Sequence, residues 1–201
     1  MTTETPASVI AFWFGDEADD RKVAEQKSSM WWAKNDAVDK QIAARFEASV
    51  LAAASGGLDA WAATPEGRLA LVLLTDQFPR NIYRGQAQSF AFDDLALRWT
   101  LEGIAQGVDK TLRLIQRVFF YLPLEHAEFL SQQDHAVRLF NALLQEVPDT
   151  HKDVFAGFRN FAILHRNIIA RFGRFPHRNA ILGRLPTDAE ITFLKTPGSS
   201  F

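Results

Sequence analysis

The sequence contains no cysteine among its 201 residues. Disulfide bonds, thiolate catalysis and metal sites with cysteine ligands are therefore excluded. Long hydrophobic runs are also missing, because the apolar run near the amino terminus covers only residues 9–14 and no basic residue precedes it. A run this short fits neither a signal peptide nor a membrane-spanning helix. We therefore expect a cytoplasmic protein that does not contact a membrane.

The remaining composition is that of an ordinary globular protein. Apolar residues make up 47% and charged residues 23% of the chain, which is the usual balance for a folded domain. A chain of this length buries roughly 70% of the surface that its unfolded state exposes. No low-complexity linker or change of composition interrupts the chain, so we predict one domain over residues 1–201.

Acidic residues are absent from a long segment near the carboxyl terminus, residues 154–186. The segment also lacks lysine, but it contains six arginines and two histidines: Arg159, Arg166, Arg171, Arg174, Arg178, Arg184, His165 and His177. Arginine without lysine favours fixed, two-pronged binding of carboxylates or phosphates. These groups belong either to the acidic remainder of the chain or to an acidic ligand. The net charge of −2 argues against a nucleic-acid partner.

Apolar residues recur at helical spacing along nearly the whole chain. The pattern predicts helices at about 35–54, from Pro65 to before Phe78, at 90–106, at 111–121, from Pro123 to about 147, at 152–172 and from Thr187 onward. We expect Gly173 to end one helix, and Pro79 and Pro123 to interrupt two others. No segment alternates with period two, and no Asn-Gly or Asp-Gly turn occurs. The sequence therefore predicts an all-α fold.

Two segments that follow predicted helices resemble each other. The first Phe-Pro segment (residues 78–85) reads Phe-Pro-Arg-Asn-Ile-Tyr-Arg-Gly, and the second (residues 175–184) reads Phe-Pro-His-Arg-Asn-Ala-Ile-Leu-Gly-Arg. Their arginine and asparagine side chains could bind carbonyls left open at a helix end, or they could bind a ligand. The candidate ligand-binding residues are Arg80, Asn81, Arg84, His165, Arg174, His177, Arg178, Asn179 and Arg184.

Several strings of residues carry a family resemblance. They are Phe12-Trp13-Phe14, Trp31-Trp32 with Lys34, residues 76–81, residues 121–128, residues 173–179, residues 182–184 and residues 197–201. Through them the chain resembles, essentially from end to end, the bacterial family catalogued as domain of unknown function 924. The resemblance implies an all-α, tetratricopeptide-like fold in which antiparallel helix pairs stack into a superhelix. It implies no activity. Ala127 stands where the family pattern has serine, which argues against a hydroxyl nucleophile beside His126.

Glu125, His126 and Glu128 form the first candidate group for acid–base chemistry. They closely follow Pro123, and we expect them in the first turns of a helix, where acidic side chains also stabilise the helix dipole. The functional interpretation makes His126 a general base or a ligand that a neighbouring carboxylate orients. Both interpretations stay open at the level of the sequence.

His165 and His177 are the other candidate histidines. His165 lies on the apolar stripe of the helix predicted at 152–172, so it is either a core residue or the buried end of a polar pocket. His177, in the second Phe-Pro segment, is a weaker catalytic candidate. Asp76 precedes Arg80 by one helical turn and is either a brace for the first Phe-Pro segment or an acid–base group.

The motifs of the common metal and cofactor sites are missing. The chain has none of the zinc-protease, di-iron or deaminase spacings, and no Gly-rich phosphate loop, Gly-x-Ser-x-Gly elbow or dinucleotide fingerprint. We therefore expect neither a metal nor a cofactor. Trp31 and Trp32 are adjacent and cannot both face one core stripe, so we expect one of them to be partly exposed at a groove or contact.

Two functions compete at this stage. The preferred one is a helical-repeat binding module whose arginine-rich segments recognise an anionic small molecule or a peptide carboxylate. The alternative is an enzyme with His/Glu acid–base chemistry on an anionic substrate. An enzyme requires a histidine and a carboxylate within hydrogen-bond reach in a cleft beside the arginines. A scaffold that binds helices of other proteins is a third possibility.

Overall fold

A computed structural model of the protein describes residues 4–199. Within this range the chain forms ten α-helices and no strand: α1 (Pro6–Phe14), α2 (Asp20–Trp32), α3 (Asp36–Ala54), α4 (Pro65–Val72), α5 (Phe78–Ile82), α6 (Asp93–Ala105), α7 (Leu114–His126), α8 (Leu130–Glu146), α9 (Lys152–Phe172) and α10 (Asp188–Phe193). A π-helical turn, Leu73–Gln77, joins α4 to α5. The prediction of an all-α fold is confirmed, while the stacking of helix pairs into a superhelix stays a prediction.

Local sequence signals account for most helix ends. α3 and α9 begin and end within one residue of the predicted positions, and Gly173 ends α9 with φ at +69°. The Thr187 side chain accepts a hydrogen bond from the backbone of Glu190 and so caps α10. α6 begins three residues later than predicted, and α1 and α2 precede the first predicted helix.

The prediction that the chain leaves the helical conformation before Pro79 is wrong. In the π turn, the backbone N–H of Phe78 donates to the carbonyl of Leu73, five residues earlier. Pro79 has no N–H, and its ring clashes with the preceding turn of a regular α-helix. The wider π turn gives the proline ring room, so the chain continues as α5.

The prediction that a new helix begins at Pro123 is also wrong, while a kink at this proline stays a prediction. α7 continues through Pro123 to His126, and the Thr100 hydroxyl donates to the Phe120 carbonyl at 3.0 Å in the turn before the proline. Pro123 has no N–H for the carbonyl of Phe119, four residues earlier, and the bond from Thr100 goes to the next carbonyl along the helix. Glu125 and His126 therefore lie at the carboxyl-terminal end of α7.

Glu128 lies in the link between α7 and α8, so no residue of the Glu-His-Ala-Glu string occupies the first turn of a helix. The helix-dipole interpretation of these acidic residues is therefore wrong. The break between the two helices is closed by Gln133, whose amide donates to the carbonyls of Glu125 and Ala127 at 2.6 and 2.7 Å. These bonds satisfy carbonyls at the end of α7 that have no partner within the helix.

α7 is the central helix, and it contacts α2, α4, α6, α8 and α9. The core also contains α4 and the π turn, where every residue from Leu69 to Leu74 is fully buried. A cluster of aromatic rings fills the space between α1, α2 and α7, with Trp13, Trp31 and Phe119 in contact. No helix within residues 4–199 is long and apolar enough to cross a membrane.

Candidate functional site

The two Phe-Pro segments meet at one cavity of about 620 Å³. Its polar lining includes Arg80, Asn81 and Arg84 from the first segment, His177 and Arg178 from the second, Glu125 and His126 from α7, and His165 from α9. Its apolar lining includes Trp31, Trp32, Phe90, Val118, Leu122, Phe140, Val154, Phe158, Phe161 and Ile181. The cavity thus combines charged groups with a largely aromatic wall.

Of the two adjacent tryptophans, Trp31 is buried and Trp32 is partly exposed. Trp31 is buried and donates from Nε1 to the carbonyl of Trp13 at 3.1 Å. Trp32 is 50% exposed and stacks on Phe119, with 5.5 Å between ring centroids and 9° between ring planes. The expectation of one partly exposed tryptophan at a groove is confirmed, because Trp32 lines the cavity.

The first hydrogen-bonded pair in the site joins Asp76 to His126, with 2.7 Å between Asp76 Oδ1 and His126 Nδ1. The π turn places the Asp76 side chain in the core with no exposed surface. Burial raises the pKa of Asp76, but the charge of Arg80 and the contact with His126 outweigh it and hold the pKa well below its usual range. Asp76 is therefore ionised and accepts the proton on Nδ1.

The His126 ring is consequently fixed in one tautomer. Burial lowers its pKa, the nearby charge of Arg80 lowers it further, and Asp76 opposes both without reversing the direction. The ring is therefore neutral at pH 7, with its proton on Nδ1 and a lone pair on Nε2.

The second pair joins Glu125 to His165, with 3.0 Å between Glu125 Oε1 and His165 Nδ1. The same nitrogen lies 2.9 Å from the carbonyl oxygen of Phe161. Because both neighbours are acceptors, Nδ1 carries the proton. The rings of His126 and His165 lie 6.1 Å apart, so the two pairs face one another across a short distance.

Carboxylates of the same chain already bind both arginines of the first Phe-Pro segment. Arg80 donates to both oxygens of Asp93 at 2.9 and 3.0 Å. Arg84 donates to both oxygens of Asp39 at 2.7 and 2.9 Å, and Asn81 donates to the same carboxylate at 2.8 Å. These three side chains line the cavity, but their donors mainly brace α5 against α3 and α6.

Three candidate ligand-binding residues, Arg174, Asn179 and Arg184, do not line this cavity. Arg174 donates to both oxygens of Glu190 at 2.7 and 2.8 Å, and Arg184 does the same to Glu128 at 2.5 and 3.0 Å. Asn179 accepts from Arg184 at 3.0 Å. These side chains hold the second Phe-Pro segment in place and do not reach the cavity where the histidines meet.

Arg178 differs from the other arginines. It is only 6% exposed, its guanidinium lies 4.6 Å from the ring centroids of both Phe90 and Phe175, and Nη1 makes one long contact of 3.3 Å with Asp93. Its Nε has no hydrogen-bond partner within residues 4–199. Burial and the charge of Arg80 lower the pKa of Arg178 to about 10, so at pH 7 the residue is a charged donor with unused capacity.

A smaller pocket of about 330 Å³ adjoins the cavity and shares Phe90, His126 and Arg178 with it. Glu128 lines this smaller pocket. Burial lowers the pKa of His177 to about 4, with a contribution from the charge of Arg178, so His177 is neutral at pH 7. No group of three His, Cys, Asp or Glu side chains in the described range is placed to hold a metal ion.

Comparison with known proteins gives two matches. Residues 9–198 match the model of a family described as bacterial protein of unknown function (DUF924). The solved structure of a protein of unknown function from Agrobacterium tumefaciens is 38% identical to this chain, with a TM-score of 0.78, and the match covers 94% of this chain and 96% of that one. Curated proteins give no match.

Proposed function

The chain belongs to the DUF924 family of bacterial proteins of unknown function, and we propose that it binds a small organic anion with an apolar body in the cavity between its Phe-Pro segments. The observation that carries the proposal is Arg178, a buried guanidinium that faces the cavity and retains an unpartnered Nε. A buried charged donor binds a carboxylate or phosphate more strongly than an exposed one does, because the medium around it screens less.

The preference for a single anionic group follows from the state of the other arginines. Arg80 and Arg84 already form two-pronged pairs with carboxylates. Among the arginines of residues 4–199, only Arg178 combines a place in the cavity with a single long contact to a carboxylate. We therefore expect the ligand to carry one acidic group rather than several.

The preference for an apolar body follows from the rest of the lining. Trp32, Phe158 and Phe161 provide aromatic surface, and Leu122 and Val154 provide aliphatic surface. A volume of about 620 Å³ lies within the range of small-molecule sites. An aromatic or branched aliphatic acid meets both requirements.

The test uses phenylacetate as a probe and phenylacetamide as its neutral counterpart. We expect phenylacetate to raise the melting temperature of the protein, since a ligand at a hundred times its Kd adds about 2.7 kcal/mol to the free energy of unfolding. The amide should have no such effect. Arg178→Gln should fold and lose the response, and the matched control Arg138→Gln, an exposed arginine of α8 outside the cavity, should keep it.

Two results would count against the proposal. Equal shifts with the acid and the amide would show that no charge is recognised. An undiminished response of folded Arg178→Gln would remove Arg178 from the site. If Arg178→Gln does not fold, Trp32→Ala at the exposed side of the cavity replaces it, and an unchanged response of that variant to phenylacetate also contradicts the proposal.

A further inference from the structure

We propose that the cavity is also the active site of an esterase, in which His126 directs a water molecule onto the carbonyl carbon of an ester whose acid part has an aromatic or aliphatic body. The inference rests on the proposed function, because the organic anion that Arg178 binds is then the carboxylate product of the reaction. It goes beyond that function by assigning a reaction, a substrate class and separate roles to His126, Asp76 and Arg178.

The hydrogen bonds around Asp76 fix the proton of His126. Asp76 Oδ1 lies 2.7 Å from His126 Nδ1 and 3.3 Å from Arg80 Nη1, and Oδ2 accepts from the side-chain amide of Gln77 at 2.5 Å. Guanidinium and amide nitrogens can only donate, so this buried carboxylate accepts at both oxygens, and Nδ1 carries the proton that it shares with Asp76. Asp76 is therefore a positioning residue that acts through the histidine ring.

His126 is placed to act as a general base. Its side chain lines both the cavity and the smaller pocket and keeps 14% of its surface exposed. Because the proton is on Nδ1, Nε2 can take a proton from a water molecule and so turn that water into a nucleophile. The buried carboxylate behind the ring stabilises the imidazolium that forms. This carboxylate comes from a π turn, a rare helical distortion that is frequent at functional sites.

The two adjoining pockets provide room for the two halves of an ester. Phe90, His126 and Arg178 line both of them, so an ester carbonyl beside these residues has its acid part in the cavity and its alcohol part in the smaller pocket of about 330 Å³. The aromatic wall of the cavity suits the apolar body of the acid. The smaller pocket is lined by Leu97 and the exposed carboxylate of Asp94, among others, which favours an alcohol without negative charge.

Arg178 provides the charge that the reaction requires. The attack of water turns the carbonyl oxygen into an oxyanion, and a buried, fixed cation stabilises this charge without reorganisation. The Nε of Arg178 has no hydrogen-bond partner within residues 4–199, so it can donate to the oxyanion. The ester itself is neutral. Arg178 therefore interacts more strongly with the transition state than with the substrate, and this difference accelerates the reaction.

The lining of the pockets favours water over a side chain as the nucleophile. Among the described residues, Ser89 is the one hydroxyl, thiol or lysine side chain that lines either pocket, and it donates to the carbonyl of Tyr83. The residue after His126 is Ala127, whose methyl group cannot attack a carbonyl. The general base therefore acts on a water molecule directly.

The reaction balances with water as the second reactant. Nε2 of His126 takes a proton from water while the water oxygen bonds to the carbonyl carbon, and the electrons of the C=O double bond move to the carbonyl oxygen beside Arg178. The double bond then forms again, and the bond between the carbonyl carbon and the alcohol oxygen breaks. The alcohol oxygen keeps the electron pair of that bond and takes the proton from the His126 imidazolium. The acid loses its proton to solvent.

The experiment follows the hydrolysis of methyl phenylacetate to phenylacetate and methanol by NMR, with buffer alone as the background. Methoxide is a poor leaving group, which keeps hydrolysis by exposed histidines low. We expect the protein to accelerate hydrolysis, and His126→Gln to reduce the protein-dependent rate roughly 100-fold or more, as is usual for loss of a general base. The matched control His135→Gln, a histidine of α8 that lines neither pocket, should retain the wild-type rate.

Asp76→Asn tests the positioning role. An asparagine amide at this position donates to Nδ1 and so moves the ring proton to Nε2, which can then no longer accept a proton from water. We expect folded Asp76→Asn to lose most of kcat, while KM for the ester and the Kd for phenylacetate change little. An unchanged kcat would overturn the role of Asp76.

Binding of phenylacetate on the same samples separates the two proposals. Binding by the wild type without accelerated hydrolysis overturns the esterase inference and leaves the proposed function intact, and absence of both overturns both. Hydrolysis that survives in folded His126→Gln overturns the role of His126. If the variants do not fold, the wild type still provides a test, because the product must compete with the ester. Hydrolysis that phenylacetate does not inhibit lies outside this cavity and overturns the inference.

Discussion

Glu125 and His126 are consecutive in the chain, yet their side chains belong to two different pairs of a carboxylate and a histidine. Glu125 reaches back to His165 on α9, and His126 reaches across to Asp76 in the π turn. Successive residues on a helix point about 100° apart, so adjacent side chains in the last turn of α7 can contact two different neighbouring elements. The end of α7 therefore fixes the distance between the two histidine rings.

Glu128 extends this relationship to the second Phe-Pro segment. It accepts from the backbone N–H of Phe175 at 2.7 Å and from both ends of the Arg184 guanidinium. Burial raises the pKa of Glu128, but the hydrogen bonds from Arg184 and Phe175 lower it by more, so the net shift of the pKa is downward. One carboxylate thus holds the segment that carries His177 and Arg178.

The first prediction follows from this bracing. Glu128→Ala leaves the Phe175 N–H and the Arg184 guanidinium without their acceptor, and we expect a loss of about 1–3 kcal/mol in the free energy of unfolding. Binding of phenylacetate should weaken as well, because Arg178 loses its fixed position. Urea denaturation measures the first effect and titration calorimetry the second.

The control for this prediction is Asp149→Asn. Asp149 pairs with Lys152 on the surface, and its side chain is 91% exposed. Exposed ion pairs contribute little to stability, so we expect this variant to unfold almost as the wild type does and to bind phenylacetate normally. Equal stability of Glu128→Ala and Asp149→Asn would refute the bracing role of Glu128.

The helices and the two Phe-Pro segments could be predicted from the sequence, but the carboxylate partner of each arginine could not. The similar composition of the two Phe-Pro segments indicated two loops, and the structure places residues of both at one cavity. The carboxylates that bind their arginines are distant in the chain: Arg84 pairs with Asp39, and Arg178 contacts Asp93 across 85 residues. Nothing in the local pattern of a single sequence indicates such partners.

The interpretation of Pro79 and Pro123 failed for a related reason. Each proline predicts a helix boundary from local chemistry alone. In the structure a π turn precedes α5, which contains Pro79, and α7 runs through Pro123, near which Thr100 of another helix donates to the carbonyl of Phe120. Because the predicted boundaries were wrong, the sequence did not select Asp76 as the partner of His126, although it identified both as candidates.

The second prediction concerns pH and His177. Burial lowers its pKa from the ordinary 6.5 to about 4 in the folded protein. Between these values the unfolded chain binds more protons at this site than the folded chain does, so the free energy of unfolding falls as the pH falls from 6.5 toward 4. Above pH 6.5 His177 is neutral in both states and no longer changes the stability with pH. One such group contributes at most about 1.4 kcal/mol per pH unit.

We therefore expect His177→Asn to flatten the dependence of stability on pH in this window. The measurement is the free energy of unfolding of both proteins by urea denaturation at pH 4.5, 5.5 and 7. The difference between the two proteins is the quantity of interest, since His126 and the paired carboxylates titrate equally in both. A difference that is constant across the three pH values would contradict the buried, neutral state of His177.

The third prediction concerns the wall of the cavity. Trp32 is half exposed, stacks on Phe119 and contacts the ring of Phe158 in the wall of the cavity. Replacing it with alanine removes apolar surface from the site while most of the core stays in place, because Trp31 carries the hydrogen bond to Trp13. We expect Trp32→Ala to bind phenylacetate about tenfold more weakly, which corresponds to about 1.4 kcal/mol, and to leave the weak binding of acetate unchanged.

Trp32→Phe separates packing from recognition in this experiment, since it keeps an aromatic ring at the same position. We expect it to retain most of the affinity for phenylacetate. Trp61→Ala is the matched control, because Trp61 is partly exposed but does not line the cavity. If Trp32→Ala weakens phenylacetate and acetate equally, the tryptophan acts on the position of Arg178 rather than on the apolar body of the ligand, and the division of the cavity into an anionic and an apolar part is incorrect.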